Sequence, residues 1–286
     1  MEIAVISGKG GTGKSSITAA FATMQQDIVL ADCDVDAANL YLLFQPNHQE
    51  EEVFVSGHKA VIDKSLCSEC AVCVDYCRFG AISVVDGEVT INPHSCDGCY
   101  LCSRICPSGA ISMVPDDKSR MYSGTFRKGM MVYGRLFPGE ENSGRLVDLV
   151  RKKARKIAQE TNLQTILLDG PPGIGCPVIS TITGVDRVLI VTEPTLSGLH
   201  DLKRTVEICS NFNLVPRVII NKYDLNTEMA DRIDEYCQQI KAPVIGRIPF
   251  DPVVVEAMLN CKSVWEYAPE SDASILLKES FEQLIL

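Results

Sequence analysis

The chain has 286 residues, 46% of them hydrophobic, with 27 Lys and Arg against 37 Asp and Glu, a formal net charge of −10 and 13 cysteines. That length and apolar fraction can bury a full α/β core and still house a smaller module, so one large domain with an insert is expected and disorder is not. The acidic balance argues against a nucleic-acid surface spread over the molecule. No apolar run approaches the ~20 residues that span a bilayer, and no basic region or cleavage site precedes the first strand at Glu2, so the reading is a cytoplasmic protein without stable membrane insertion.

In chain order, "EIAVIS" (2–7) is a short apolar strand that ends at Gly8 in a glycine-rich turn, and "KSSITAAFATMQQ" follows at helical spacing. "IVLADCD" (28–34) reads as a second buried strand with carboxylates at its C-terminal end, where ligands of parallel sheets sit. Around Phe54–Ile62 the pattern turns irregular, and from Cys67 to Met113 cysteines and glycines dominate. Asp116–Gly144 reads as a return connection with short strands, closed by Ser143 as a cap for "GRLVDLVRKKARKIAQET". On that helix Leu146, Val147, Val150, Ala154 and Ile157 share one face, and Arg151, Lys152, Lys153, Arg155 and Lys156 lie mostly on the other, either a solvated face or a dock for an acidic redox partner. Strands then alternate with helices: "TILLDG" (165–170), "RVLIVTEP" (187–194), "RVIINK" (217–222) and "VIGRIP" (244–249). The fold class expected is α/β, a mostly parallel sheet with helices on both faces. "SILLKESFEQLIL" lacks a basic face and is expected to pack on the body.

Gly8–Ser15 fits G-x-x-x-x-G-K-S between a strand and a helix, the context that turns this pattern into a phosphate site. The cofactor-binding loop is Gly8, Gly10, Gly11, Thr12, Gly13, Lys14, Ser15 and Ser16: backbone N–H groups converge on phosphate oxygens, Lys14 reaches the β/γ oxygens and Ser15 ligates Mg2+. Asp169 ends an apolar strand where the second Mg2+ partner belongs, with a turn or helix-capping aspartate as the plain alternative.

Lys9, directly after Gly8 in "GKGGTGKSS", makes this loop resemble that of the MinD, ParA, Mrp and nitrogenase iron protein superfamily. "LADCDVDAANL", "DGPPGIG", "VTEPTLSGLHDLKR", "VIINK" and "IPFD" extend the resemblance over residues 1 to about 50 and 143 to 270. It implies ATP or ADP with Mg2+, and two chains, identical or paralogous, sandwiching two ATP molecules with Lys9 reaching across the interface. It also implies that Asp34 helps position the attacking water, that Asn221 reads the adenine edge, and that Pro249, Phe250 and Asp251 close over the base. The catalytic set expected is Lys9, Lys14, Asp34 and Asp169, with hydrolysis slow enough for switching.

The cysteine quartets Cys67, Cys70, Cys73, Cys77 and Cys96, Cys99, Cys102, Cys106 each have the spacing C-x2-C-x2-C-x3-C, and the pattern resembles the bacterial two-cluster ferredoxin signature, in which the fourth cysteine serves the other cluster. The resemblance implies one 4Fe-4S cluster on Cys67, Cys70, Cys73 and Cys106 and another on Cys96, Cys99, Cys102 and Cys77. Zinc is the alternative, although three ligands at two-residue intervals suit a cube better than a tetrahedron. "GAI" follows each quartet (80–82 and 109–111), marking an internal duplication; Pro107 follows the second quartet but Arg78 follows the first. The expected division is therefore 1–58 with 116–286 as a phosphate-loop ATPase domain, interrupted by 59–115 as an inserted ferredoxin-like domain. Cys176 reads as a small buried residue or a redox or metal contact between subunits, and Cys33, Cys209, Cys237 and Cys261 as core or helix-face cysteines.

Three functions follow: an ATP-gated dimer that couples nucleotide binding or hydrolysis to electron transfer with a protein redox partner, an Mrp-type assembly ATPase delivering clusters to an apo-protein acceptor, and a MinD-like spatial organiser. The compact cysteine module favours the first.

Overall fold

A computed structural model describes residues 1–286. Its strands are β1 (Glu2–Ser7), β2 (Ile28–Asp32), β3 (Asn47–Phe54), β4 (Gly57–Ile62), β5 (Ile82–Val85), β6 (Glu88–Ile91), β7 (Ile111–Asp116), β8 (Ser119–Phe126), β9 (Gly129–Arg135), β10 (Thr165–Pro172), β11 (Arg187–Thr192), β12 (Arg217–Asn221) and β13 (Val244–Ile248). The chain divides into two compact units: Met1–Glu51 with Met121–Arg135 and Ser143–Leu286, and Glu52–Arg120 with Leu136–Asn142.

The larger unit is built on a sheet of order β13-β12-β11-β1-β10-β2-β9-β8-β3. From β13 to β9 every pairing is parallel. Its inner strands are apolar on both faces because helices cover both: every residue of β1 and of β2 is buried. The core joins Ile3, Val5, Leu30, Leu167 and Ile219 of the sheet to Ile17 and Phe21 of the helix Lys14–Met24. The last helix, Asp272–Ile285, packs on the body as expected: Ala273, Leu277, Phe281 and Leu284 are buried, and the Phe281 ring lies 4.8 Å from that of Phe21.

Three local expectations are corrected. Phe54–Ile62 is not irregular but closes β3 and forms β4. β3 escapes a pattern search because it is an exposed edge strand, "NHQEEEVF", whose acidic side chains discourage further pairing. Ser143 does not cap the following helix but is its first residue, Ser143–Thr161. The basic side of that helix is not a solvated face throughout. Arg151 is 4% exposed and its Nε donates to Glu2 Oε1 at 2.9 Å, while Arg155 reaches Glu2 Oε2 at 2.7 Å. Lys152 and Lys156 do lie in solvent beside Asp148 and Glu160.

The smaller unit holds two antiparallel pairs, β4 with β7 and β5 with β6, and the short helices Val72–Asp75 and Leu101–Ile105. Its main buried apolar cluster joins Ala60, Cys73, Ile82, Val89 and Ile111.

Arg151→Ala removes one of two arginines from Glu2, leaving Arg155, and takes a donor from the Ser180 carbonyl. It is therefore expected to lower stability by about 2 kcal/mol in urea unfolding, the scale of a hydrogen bond to a buried charged group, whereas Glu2→Leu, which leaves both arginines without their carboxylate, is expected to cost more.

Candidate functional site

The carboxyl ends of β1, β10 and β2 meet at one point because their parallel register sets Val5 beside Asp169 and Asp169 beside Asp32. From the end of β1 the chain turns through the glycine-rich loop into the helix Lys14–Met24, whose first turn carries no side-chain cap. Gly13 sits there at φ 89°, and a Cβ on it would come within 2.2 Å of Asn221 Nδ2, so two constraints require glycine. A Cβ on Gly8 would stand 2.5 Å from the Cβ of Asp201, while Gly10 and Gly11 face open space.

Asp169 is fully buried, and three side chains of the loop and its helix converge on it. Lys14 Nζ lies 2.9 Å from Oδ1, Thr18 Oγ1 donates to Oδ1 at 2.8 Å, and Ser15 Oγ donates to Oδ2 at 2.7 Å. Asp32, also fully buried, accepts backbone N–H bonds from Asp34, Asn39 and Leu40. Burial, then the charge of Asp169, push its carboxyl up to about 7 against the pull of Lys14. Asp34 is half-buried one step beyond, raised by burial in the same way. Thr12 Oγ1 is buried with no hydrogen-bond partner, an orphaned polar atom inside a phosphate-binding loop.

Beside the loop opens a cavity of about 310 Å3 lined by Gly11, Gly13, Ser16 and Asn221 and, opposite, by Pro249, Phe250 and Asp251. Asn221 Nδ2 donates to Thr12 O at 2.8 Å. Phe250 N donates to Asp224 Oδ1 at 2.6 Å, and Asp251 Oδ1 accepts from Val253 N at 2.9 Å, so the carboxylate of Asp251 is engaged in its own turn. Lys9 is drawn to the other side: its Nζ lies 2.6 Å from Glu193 Oε1 and donates to Ser197 Oγ at 2.9 Å. Lys222 Nζ donates to Gly11 O at 3.0 Å. Thr18, Glu193 and Lys222 were not singled out from sequence. Glu193 follows a parallel strand and Lys222 follows Asn221, and that position at strand ends was the available signal.

In the smaller unit, one cavity is lined by Cys67, Cys70, Cys73 and Cys106, and a second by Cys77, Cys96, Cys99 and Cys102. The backbone repeats with the quartets. Glu69 and Gly98, Ala71 and Tyr100, and Gly80 and Gly109 all take positive φ, each pair 29 residues apart. Asp63 N donates to Ala110 O and Asn92 N to Ala81 O, both at 2.7 Å. Gly98 is required, since a Cβ there would lie 2.3 Å from His58 O. Sulfur receives donors: Ala110 N lies 3.3 Å from Cys106 Sγ, Ser108 Oγ 3.6 Å from the same atom, and Ala60 N 3.5 Å from Cys96 Sγ. Ser108, then the backbone amides, hold the Cys106 thiol below its usual range, whereas burial raises those of Cys73 and Cys102. No group of three or more His, Cys, Asp or Glu is arranged to hold a metal ion. Of the remaining cysteines, Cys33, Cys209 and Cys237 are buried and Cys261 is half-buried, whereas Cys176, expected as a small buried residue, is instead exposed, because it opens the helix Cys176–Ile182 at the surface.

A phosphate loop at the end of a central parallel strand, with a buried carboxylate on the neighbouring strand and an open cavity alongside, defines a nucleotide-binding α/β protein. The chain belongs to the CobQ/CobB/MinD/ParA nucleotide binding domain family, which it matches over residues 3–264. It is 36% identical over 295 residues to an uncharacterized protein of Methanocaldococcus jannaschii, covering 99% of this chain and 96% of that protein. It is 21% identical over 159 residues to the septum site-determining protein MinD of Bacillus subtilis, covering 52% of this chain and 58% of that protein. Among solved structures, the septum site-determining protein MinD complexed with Mg-ADP from Pyrococcus horikoshii OT3 superposes with a TM-score of 0.60 at 19% identity, covering 99% of this chain and 94% of that one. No helix is long and apolar enough to cross a membrane.

The raised pKa of Asp32 has a sign that melting curves can read. The folded chain holds this proton more tightly than the unfolded one, so the associated stability is complete below the ordinary carboxylate range and is lost as pH rises toward and through about 7. The melting temperature of the nucleotide-free protein should fall between about pH 4 and pH 7 more steeply than that of Asp32→Asn. Parallel slopes would mean that Asp32 is ionised throughout.

Proposed function

We propose that this chain is an ATPase and a nucleotide-gated dimer whose smaller unit carries two 4Fe-4S clusters, and that its nucleotide state governs electron passage between those clusters and a protein redox partner. The cysteine cavities carry this reading. Each is lined by three cysteines of one quartet and the last of the other, Cys106 joining Cys67, Cys70 and Cys73, and Cys77 joining Cys96, Cys99 and Cys102. That exchange of the fourth ligand is the two-cluster ferredoxin arrangement. The donor set suits the group, because each cavity holds the four thiols that one cluster needs, and N–H and O–H groups lie beside the sulfurs of Cys96 and Cys106. Bound clusters would supply one-electron transfer. Residues 59–115 are proposed to form this inserted domain, and 1–58 with 116–286 the ATPase.

The nucleotide roles follow from the loop geometry and from the family's pattern. Lys14 would take the β/γ oxygens and Ser15, backed by Asp169, the Mg2+; the Ser15–Asp169 pair already stands at 2.7 Å. Asn221 with Pro249, Phe250 and Asp251 would receive the base in the cavity they line. Asp34 would orient the attacking water, and Lys9 would serve the nucleotide of the second chain. With no catalytic base stronger than an aspartate, hydrolysis is slow and suits a switch.

A second reading is a MinD-like spatial organiser, and the comparisons speak for it more directly than for electron transfer, since the named relatives are septum site-determining proteins. Under that reading the cysteine module is structural or sensory. A third, an Mrp-type assembly ATPase, would release a cluster to an apo-protein.

Anaerobic purification with iron, sulfide and EPR analysis separates them. About eight irons per chain, and cluster signals that shift on adding Mg-ATP but not in Lys14→Ala, are expected. Iron-free protein that retains ATPase activity would leave the spatial organiser standing, and net cluster transfer to an apo-acceptor without any shift would favour assembly.

A further inference from the structure

The loop lysine that would serve a second chain is held within its own. Besides Glu193 and Ser197, Lys9 Nζ lies 3.4 Å from Thr195 Oγ1, and the side chains of Lys9 and Glu193 are only 28% and 18% exposed. Glu193 also faces Lys222, whose Nζ stands 3.7 Å from its Oε2 and donates to the Gly11 carbonyl. The carboxylate thus bridges two lysines, one carried on the phosphate loop and one gripping it. Its own segment is firmly set: Thr195 N donates to Glu193 O at 2.8 Å, Thr195 Oγ1 accepts from Gly198 N at 2.9 Å, and a Cβ on Gly198 would lie 2.2 Å from Glu193 O. A lysine held by one carboxylate and two hydroxyls on a rigid turn must lose all three before it can reach another molecule.

We propose that Glu193 is a positioning residue that stores Lys9 in cis and thereby sets the threshold for ATP-driven dimer formation. The inference rests on the reading of Lys9 as a ligand across the dimer. The arriving γ-phosphate brings negative charge to the loop and competes with the Glu193 carboxylate for Lys9, so pairing with phosphate is gained as pairing with Glu193 is lost. ADP, lacking that group, leaves the lysine where it is. A purely structural Glu193 would instead neutralise Lys9 and Lys222, and losing it would loosen the loop for ATP and ADP alike.

Sedimentation of the full chain with Mg-ATP and with Mg-ADP distinguishes these. Glu193→Gln, which keeps the shape and removes the charge, should form the ATP-dependent dimer at about fivefold lower concentration than wild type, the scale of one partly exposed ion pair. Its affinity for ADP should not change, and the dimer advantage should shrink at high salt. Glu193→Asp should return toward wild type, and Ser197→Ala should move in the direction of Glu193→Gln to a smaller extent, a check that stands even if Glu193→Gln misfolds. Dimerisation by Glu193→Gln equal to or weaker than wild type, or equal changes for both nucleotides, would overturn the inference. Lys9→Ala locates the failure: if it dimerises like wild type with ATP, the cross-dimer reading itself is wrong, and if it does not while Glu193→Gln is unaltered, only the storage role is.

Discussion

The carboxylate of Asp169 is the constraint around which the nucleotide site is organised. A buried charge is tolerated only when paired and hydrogen-bonded, and here Lys14, Ser15 and Thr18 satisfy it from a single helical turn. That turn exists because β1 delivers the chain to Gly13 in a conformation only glycine adopts easily. Asp32 lies opposite in the next strand, and one lysine cannot compensate both carboxylates in a dry site, so the second is driven toward its neutral form. Phosphate arriving at the loop would compete for Lys14 and Ser15, and the charge balance of this pair of aspartates would change with it.

The parallel strands were legible because both of their faces are covered, which makes the sequence apolar without interruption and ends each run at a ligand-bearing tip. Gly8–Ser15 and Asp169 were legible for the same reason: their chemistry follows a strand end directly. Glu193 and Lys222 sit at equivalent tips but were passed over, because their meeting with Lys9 and Gly11 is decided by which strands become neighbours and not by local spacing. Arg151 shows the opposite failure. On its helix it belongs to a basic run, yet it is buried against Glu2, a residue far from it in sequence, at the start of β1. The edge strand β3 stayed hidden because exposure removes the alternation by which strands are recognised.

The smaller unit was legible from its repeat more than from any pattern of burial. Its matched positive-φ residues show that the duplication extends to backbone conformation, and the reciprocal bonds Asp63–Ala110 and Asn92–Ala81 tie the halves as equals. The halves differ where the fourth cysteines leave their loops. Pro107 and Ser108 follow Cys106, and the serine hydroxyl reaches its sulfur. At the matching positions Arg78 and Phe79 follow Cys77, with the guanidinium 4.8 Å over the ring. A donor hydroxyl at one site and a stacked cation at the other make the two cavities electrostatically unequal. Under the proposed reading this inequality separates the potentials of two otherwise matched centres.

The path of the chain bears on how nucleotide and cysteine chemistry could communicate. Most residues of the smaller unit fall between β3 and β8 in sequence, with Leu136–Asn142 following β9, and β9 pairs in parallel with β2, setting Tyr133 directly opposite Asp32. Tyr133 is almost fully buried, stacks on Tyr41 and Tyr122, and its hydroxyl meets His48 Nε2 at 2.8 Å. His48 belongs to β3, the strand that leads into the smaller unit, and Tyr122 to β8, the strand that leads out of it. His48 and Tyr122, each on a strand at which the chain passes from one unit to the other, therefore pack within the larger unit against the residue that pairs with the nucleotide-site aspartate. Burial, then Tyr122 and Tyr41 and, last, the charge of Asp32 push the Tyr133 phenol up to about 12 against the pull of Arg135, so this aromatic stack lies within the field of the nucleotide-site aspartate.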